Sequence, residues 1–577
     1  MSLVGPCIYQ RSKRKFDPIE SVSTRSISRI YVSSASDAVS PPRETSHIFA
    51  MTRLRGARPA VSKMARCRRN AAPPSPPSVT GGGLWLSADL PGDGLDRPTK
   101  RTCLAAGQGD YIDTLPDDIL VNVISRLAIR DAVATGGVSA RWRHLWKHVR
   151  RLILLPNRIR LRGDDDEGSS PPSTEAEQRD ADSQEDAQVA RLADAASSVL
   201  RHHRGTGVDK LVFQLPLTSR HAAVLDQAVA FAAAAGAPEL HFTLAAGKRR
   251  HATPPPPYDF PHWRFAGAGG SRLQILLLGN VRLAGAAQQR SLEGLAQLTY
   301  LSLTGVTVDD AGVADILSAC DSLLIVELRD CPQLAHLTAS HARLRVLDVD
   351  GCGGLKSVTI RSSSLLQLAY RGHKVDIKYD HAPAIAKLRV LFRKGSQCPL
   401  DCVGGDLPEL RHLFLQFPSP VHASCNRTFA CLSKMVLLLM KTPWRERVLS
   451  VANLLCAAPL VDELRVEVYG DLPVAPPNKP PMFIRWPEHC SPETLGSVAI
   501  GGFSGEPELV ELAFFLLRRS PALRALAIDT HRRHLRSGDK GWSREEREYP
   551  VRCYYARGVA WTHLAPKIPS TVKFTIL

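Results

Sequence analysis

Several stretches of this 577-residue chain carry residue types that do chemistry elsewhere, and each fails on spacing. Gly502-Phe503-Ser504-Gly505 starts like a nucleophile elbow, the sharp turn that lifts a serine hydroxyl off a strand. Gly-x-Ser-x-Gly needs a glycine at 506, where the chain has Glu506. Gly267-Ala268-Gly269-Gly270 starts like a dinucleotide phosphate loop, but Arg272 stands where the third glycine belongs. Cys398-x3-Cys402 with His412 offers three zinc ligands and no fourth at proper spacing. Neither Gly-x4-Gly-Lys-Ser/Thr nor His-Glu-x-x-His occurs. His202-His203 is expected at a helix end, where an imidazole satisfies terminal carbonyls. None of the 13 cysteines is expected to be set up as a ubiquitin-accepting nucleophile. The expectation is a chain without catalytic residues, cofactor or metal.

The bulk properties point to a binding protein. Hydrophobic residues are 44% and charged residues 23%, which excludes disorder along the whole chain. No apolar run approaches the roughly 18 residues needed to cross a bilayer. An odd number of scattered cysteines reads as reduced thiols of an intracellular protein rather than a disulfide scaffold. The formal charge of +18 is uneven, because residues 1–80 hold 14 Lys/Arg against 4 Asp/Glu. That Ser/Pro/Arg-rich start, through residue 109, is expected to be disordered. Arg11-Ser12-Lys13-Arg14-Lys15 reads as a solvated basic run rather than an address, and the expected location is nucleus and/or cytoplasm. A weak transit-peptide composition and the later methionines Met51 and Met64 leave the native start open across residues 1–63. With so much of the charge in the first segment, and no groove-reading motif or aromatic-basic platform, nucleic-acid binding is disfavoured.

The elements fall into two blocks. Residues 161–186, with Asp164-Asp165-Asp166-Glu167 and Ser-Ser-Pro-Pro-Ser, read as an acidic linker. Before it, 110–160 predicts three short helices. Leu115, Ile119, Leu120, Val123, Ile124 and Leu127 keep helical spacing. Thr114 with Asp117 is a capping pattern, and Pro116 sits in the first turn. A second helix starts near Asp131 and ends at Gly136-Gly137, and a third follows Ser139 with Trp142, Leu145, Trp146 and Val149 along one stripe. So small a core gains stability by docking its remaining apolar surface on a partner.

Leu115-Pro116-Asp117-Asp118-Ile119-Leu120, Val123-Ile124, Leu127 and Val138-Ser139-Ala140-Arg141-Trp142-Arg143-His144-Leu145-Trp146 resemble an F-box of the form common in plants. The resemblance implies binding to a Skp-type adaptor and, through it, to the cullin and RING subunits of a ubiquitin ligase. By that resemblance the adaptor-binding set is Leu115, Pro116, Ile119, Leu120, Ile124, Leu127, Val138, Trp142, Leu145 and Trp146, as contacts or as the core beneath them. Gly136-Gly137 departs from the family pattern and is expected to loosen a helix end by roughly 1 kcal/mol per glycine.

The long block, 187–577, repeats Leu-x-x-Leu-x-Leu, with 187–488 assigned to the leucine-rich repeats. Motifs start at Val208, Ala237, Leu273, Leu298, Leu323, Leu344, Leu365, Leu388, Leu410, Leu432, Val461, Leu495 and Leu523, with Leu388 the poorest. The spacing is that of leucine-rich repeats, each adding one strand to a shared parallel sheet. Helices are expected at Ser219–Gly236, Asp309–Ala319, Arg445–Ala458 and Glu508–Ser520, and irregular or 3₁₀ returns in the 21-residue units. Pro254–Pro257 and Pro473–Pro481 read as rim loops. Cys331 and Cys352 resemble the cysteine-containing repeat variant, with the thiol buried at the turn. Residues 489–530, from Cys490 through Gly502, Gly505, Glu508–Leu517 and Leu523, resemble the FBD region that follows the repeats in plant F-box proteins. Residues 531–577 are expected to be a basic tail.

The fold class is therefore α/β, a small helical module followed by an irregular leucine-rich-repeat solenoid. The resemblance implies a non-catalytic substrate-recognition subunit of a Skp-cullin-F-box type ubiquitin ligase. The alternative is a repeat scaffold that no longer binds the adaptor. Period-2 alternation puts Tyr300, Ser302, Glu327, Arg329, Asp348, Asp350, Arg371, His412, Phe414, Glu463, Arg465 and Glu467 on the concave side. Tyr300, Phe414, Arg329 and His412 are the candidate target-binding residues, the two aromatics foremost.

Overall fold

The computed structural model describes residues 114–159, 175–204, 207–245, 255–266, 272–283, 292–392, 407–417, 428–440, 444–469, 484–531 and 553–577. The expectations for residues 1–109, for Pro473–Pro481 and for the Cys398/Cys402 pair lie outside these.

The helical module starts with α1 (Asp117–Ile124), α2 (Ile129–Ala134) and α3 (Trp142–Leu145). Pro116 is the N-cap of α1, and no side chain caps the helix, contrary to the Thr114/Asp117 pattern. Asp117 is held instead by Arg141, whose Nη2 lies 2.6 Å from Oδ1 and also donates to the Leu115 carbonyl at 2.6 Å. Gly136-Gly137 closes a 3₁₀ turn after α2. A Cβ at Gly136 would lie 3.2 Å from the Arg143 backbone, so this glycine lets the turn approach α3 rather than only loosening it.

The module then runs straight into the sheet. β1 (Arg151–Leu154) and the short α4 (Pro156–Ile159) precede α5 (Glu175–His202), and β2 (Lys210–Gln214) pairs in parallel with β1, Arg151 opposite Lys210. The acidic stretch predicted as a linker up to 186 is thus helical from Glu175. It belongs to the crossover between two parallel strands rather than to a tether between domains. Val149-x-x-Leu152-x-Leu154 has the repeat motif itself, so the sheet begins inside the block assigned to the module. Asp209 N donates to the Arg150 carbonyl at 2.7 Å, Arg204 N to the Lys147 carbonyl at 2.9 Å, and His203 Nε2 bonds the Val149 carbonyl at 2.9 Å.

The repeats follow in chain order: α6 (Ala222–Ala234), β3 (Glu239–Thr243), β4 (Tyr258–Asp259), β5 (Ile275–Gly279), β6 (Val281–Arg282), β7 (Tyr300–Thr304), α7 (Asp310–Ala319), β8 (Ile325–Arg329), β9 (His336–Ala339), β10 (Val346–Asp350), β11 (Ser357–Arg361), β12 (Gln367–Gly372), β13 (Asp376–His381), β14 (Lys387–Phe392), β15 (His412–Phe417), β16 (Lys434–Met440), α8 (Trp444–Cys456), β17 (Glu463–Tyr469), β18 (Ser497–Gly501), α9 (Pro507–Arg519), β19 (Ala525–Asp529) and β20 (Lys573–Ile576). Among the described residues, fifteen strands form one sheet in the order β1-β2-β3-β5-β7-β8-β10-β12-β14-β15-β16-β17-β18-β19-β20, and every pairing is parallel. The four expected helices are α6 to α9.

Three expectations need correction. The 21-residue returns are not irregular or 3₁₀, because β9, β11 and β13 form a second parallel sheet. An extended segment rises about 3.3 Å per residue against 1.5 Å in a helix, so a short unit crosses the stack only in that form. The motif placed at Leu388 begins at Ile385, buried like the first leucine of its neighbours, and Leu388 and Val390 are its second and third apolar positions. The C-terminal segment is not a tail. Residues 553–559 are helical, and β20 pairs with β19, Ala525 opposite Lys573, so the FBD-like unit is not the last.

One apolar core runs from Leu120 of the module to Val572. Cys331 and Cys352 lie inside it at the turns after β8 and β10, and the Cys352 thiol approaches the Leu328 carbonyl at 3.7 Å. The neighbouring Cys352 sulfur, then burial, push the Cys331 thiol far above the ordinary range, which suits packing rather than reactivity.

Two measurements follow. Gly207 and Gly502 have left-handed φ values of 71° and 68°. A side chain at Gly207 would meet open space, whereas a Cβ at Gly502 would collide with the backbone carbonyl oxygen of Val468. Gly207→Ala should cost about 1 kcal/mol for the backbone conformation alone. Gly502→Ala should cost distinctly more, and equal denaturation midpoints would contradict this packing. The second concerns His203, whose pKa is lowered by burial, against its bond to Val149. The unfolded chain therefore takes up the proton first as pH falls through about 6.5, so stability present above that pH is lost below it. His203→Gln should flatten part of the fall in Tm between pH 7.5 and 5.5, and an unchanged pH profile would remove His203 as its source.

Candidate partner-binding surfaces

Two surfaces stand out, one on each block. On the module, α1 divides its apolar residues between two faces. Leu120 and Ile124 point inward and are fully buried, with Trp142 and Leu145 of α3 packed in the same core. Ile119, Val123 and Leu127, spaced by four, point outward together with Leu115 and Pro116 of the preceding turn. Val123 is 50% exposed and Val138, after the glycine turn, 65%. Val133 on α2 is exposed as well. The ten residues assigned to the adaptor thus separate by position. Leu115, Pro116, Ile119, Leu127 and Val138 are at the surface, Leu120, Ile124, Trp142 and Leu145 form the core beneath, and Trp146 is half-buried against it. Val123 and Val133 were missing from the assigned set, although Val123 follows Ile119 by one helical turn. So was Arg141, which ties the Leu115-Pro116 turn to α3 through Asp117.

On the solenoid, register stacks equivalent residues across the long sheet. The face away from the core carries three rows. The first includes Ile275, Tyr300, Ile325, Val346, Gln367, Lys387, His412, Lys434 and Glu463. The second includes Ser302, Glu327, Asp348, Ala369, Arg389, Phe414, Val436 and Arg465, and the third Arg329, Asp350, Arg371, Leu391, Gln416, Leu438 and Glu467. The alternation predicted from sequence is realised in this register.

The candidate target-binding residues do not share one environment. Tyr300 is not the exposed aromatic expected. It is only 7% exposed, lies between Ile275 and Ile325 in its row, and its buried hydroxyl lies near the Glu327 carboxylate without a hydrogen-bond partner among the described residues. Burial first, then that carboxylate, push its pKa well above the usual tyrosine value. Glu327 is itself 2% exposed, accepts from Ser302 Oγ at 3.3 Å and pairs with Arg329 at 3.0 Å. Arg329 also reaches Asp348 at 3.7 Å, so its charge is already matched within the sheet. Asp350 pairs with Arg371 at 3.3 Å. Sequence shows which face these residues occupy, but lateral packing between strands decides how deeply they sit.

Phe414 and His412 remain accessible. Phe414 is half-buried against Leu391, Leu438 and Tyr469, and the Arg389 guanidinium lies over its ring, 4.7 Å from the centroid. His412 is exposed, and burial, then Lys387 and Lys434, hold its pKa below the ordinary value. Among the described residues no cluster of three or more His, Cys, Asp or Glu is arranged to hold a metal ion. No helix there is long and apolar enough to cross a membrane.

Comparison with known proteins adds the family. Residues 199–577 match the At1g61320/AtMIF1 LRR domain family, and residues 112–154 match the F-box domain. F-box protein At1g80960 of Arabidopsis thaliana is 35% identical over 66 residues, 11% of this chain and 14% of the relative. F-box/FBD/LRR-repeat protein At1g80470 of the same plant is 43% identical over 47 residues, 8% of this chain and 10% of the relative. The MEIOTIC F-BOX protein MOF of Oryza sativa subsp. japonica is 39% identical over 56 residues, 10% of this chain and 12% of the relative. These matches span only about a seventh or less of each relative's length. The leucine-rich-repeat match, in contrast, takes in most of the folded chain, and its repeats are those of the long parallel sheet. The chain therefore belongs to the plant F-box/leucine-rich-repeat proteins, with repeats of the At1g61320/AtMIF1 LRR domain family.

Proposed function

We propose that this chain is the substrate-recognition subunit of a Skp-cullin-F-box type ubiquitin ligase. It binds a Skp-type adaptor through the outward face of α1 and the turns beside it, and a target protein through the open face of the long sheet. The observation that carries the reading is the outward stripe of Leu115, Ile119, Val123, Leu127 and Val138 on a module whose own core is already closed. An apolar patch of that kind on a charged chain favours a protein partner. Gly136, seated against Arg143, supports retained adaptor binding over the scaffold alternative, since the departure from the family pattern has a packing role.

The chain contributes position rather than chemistry. β1, the strand of the first repeat, follows the module directly, so adaptor and target are held by one sheet. That raises the effective concentration of a target lysine near the charged conjugating enzyme.

Ile119→Ser with Val123→Ser removes two exposed side chains. Each is worth roughly 1.5–3 kcal/mol when fully buried by a partner. Capture of a purified Skp-type adaptor should fall at least about tenfold, while Tm stays unchanged because surface substitutions cost little. Undiminished capture would remove this surface as the docking site. Leu120→Ala, in the core beneath, should instead destabilise the module by about 2–5 kcal/mol. Ubiquitin transfer should require added conjugating enzyme, cullin and RING, and a thioester formed between ubiquitin and the isolated chain would overturn the non-catalytic reading.

A further inference from the structure

Fixed charge on the open face is matched at one end of the central strands and unmatched at the other. On β8, β10 and β12, Glu327, Asp348 and Asp350 alternate with Arg329 and Arg371 at ion-pair distances of 3.0–3.7 Å. On β14 the cations continue, and on both β14 and β15 the carboxylates stop. Lys387 and Arg389 stand two residues apart on β14, and His412 and Phe414 face them directly on β15. Among the described residues, no carboxylate lies within 4 Å of Lys387, Arg389 or His412. On the other side of Arg389 in its row is Ala369, which supplies no polar group.

Arg389 is the unusual member. Its guanidinium is half-buried and lies over the Phe414 ring at 4.7 Å. Burial, then Arg371, lower its pKa, and the attraction of Asp348 does not offset them. A guanidinium stacked on an aromatic face keeps its N–H edge free, and that edge matches a carboxylate in a bidentate pair. Lys387 and His412 stand beside it, one strand spacing (about 4.8 Å) apart. We propose that Lys387, Arg389 and His412, with Phe414 as the platform under Arg389, form a subsite for an acidic, Asp/Glu-rich segment of a protein partner.

The surroundings favour a short acidic segment over a nucleic acid. Lys434, next in the row, is paired with Glu463 at 2.8 Å, and Asp348 and Asp350 close the other side. A phosphate backbone carries charge along its whole length and would run onto these carboxylates. Two or three carboxylates would not. The inference rests on the target-recognition half of the proposed function and is independent of the adaptor half.

The test uses the full chain and a fluorescent eight-residue peptide with three central glutamates among neutral residues. Lys387→Gln with Arg389→Gln should weaken peptide binding by about tenfold, the scale of a lost charge-assisted pair. Arg343→Gln with Lys356→Gln removes the same charge from exposed positions elsewhere, and should leave affinity nearly unchanged. Lys387→Gln alone, at an exposed residue that does not threaten folding, should give a smaller loss in the same direction. Equal losses in both double variants, absence of saturable binding, or tighter binding of an eight-nucleotide oligothymidylate with the same mutational loss would each overturn the proposal. Adaptor capture read in parallel should be unchanged in all variants, so a failed adaptor reading is seen separately from a failed subsite.

Discussion

Each strand of the long sheet takes its backbone partners from the repeat before it and the repeat after it, and everything else in this protein depends on that pairing. A unit of 20–25 residues cannot bury its own three apolar side chains. It does so only when a neighbour closes over them, so the core is one continuous body from Leu120 to Val572. The ladder therefore extends wherever the motif allows, into the helical module through β1 and to the C-terminus through β20. The acidic segment between β1 and β2 is thereby part of a crossover. The FBD-like unit becomes an internal repeat for the same reason.

That ladder also organises the open face. Strict parallel register places the first, middle and last outward residues of each strand in rows, so side chains far apart in sequence become neighbours about 4.8 Å apart. Ser302, Glu327, Arg329 and Asp348 become a network because they occupy adjacent places in two rows. A carboxylate as buried as Glu327 needs such partners, since an unpaired buried charge is costly. The consequence for recognition is selective. Where rows of opposite charge alternate, the surface is already satisfied. Where Lys387, Arg389 and His412 adjoin without carboxylates, a partner has something to complete.

The helical module follows a different rule. Its helices are too short to be stable alone, the longest having eight residues. Trp142, Leu145, Leu120 and Ile124 supply a small core, and β1 joins that core to the rest of the sheet. Rigid attachment at that end frees the opposite side of α1 to stay apolar and outward. The docking proposed for that face would lose little freedom on so firmly held a module, which favours affinity.

The sequence by itself determined which residues alternate inward and outward, how many repeats there are to within two, where four of the five long helices among the described residues lie (not α5) and which segment resembles an F-box. These are local periodicities, of 2 in a strand and 3.6 in a helix, and local periodicity is written in the order of residues. The tertiary structure alone decided the rest. It decided that Val149-x-x-Leu152-x-Leu154 is the first repeat, that Ile385 rather than Leu388 starts its motif, and that short returns are strands. It also decided that Tyr300 is sealed between Ile275 and Ile325 while Phe414 stays within reach beneath Arg389. Exposure and charge matching depend on what the neighbouring strand brings to the same row, and that neighbour is 20 or more residues away in the chain. No local pattern contains that information.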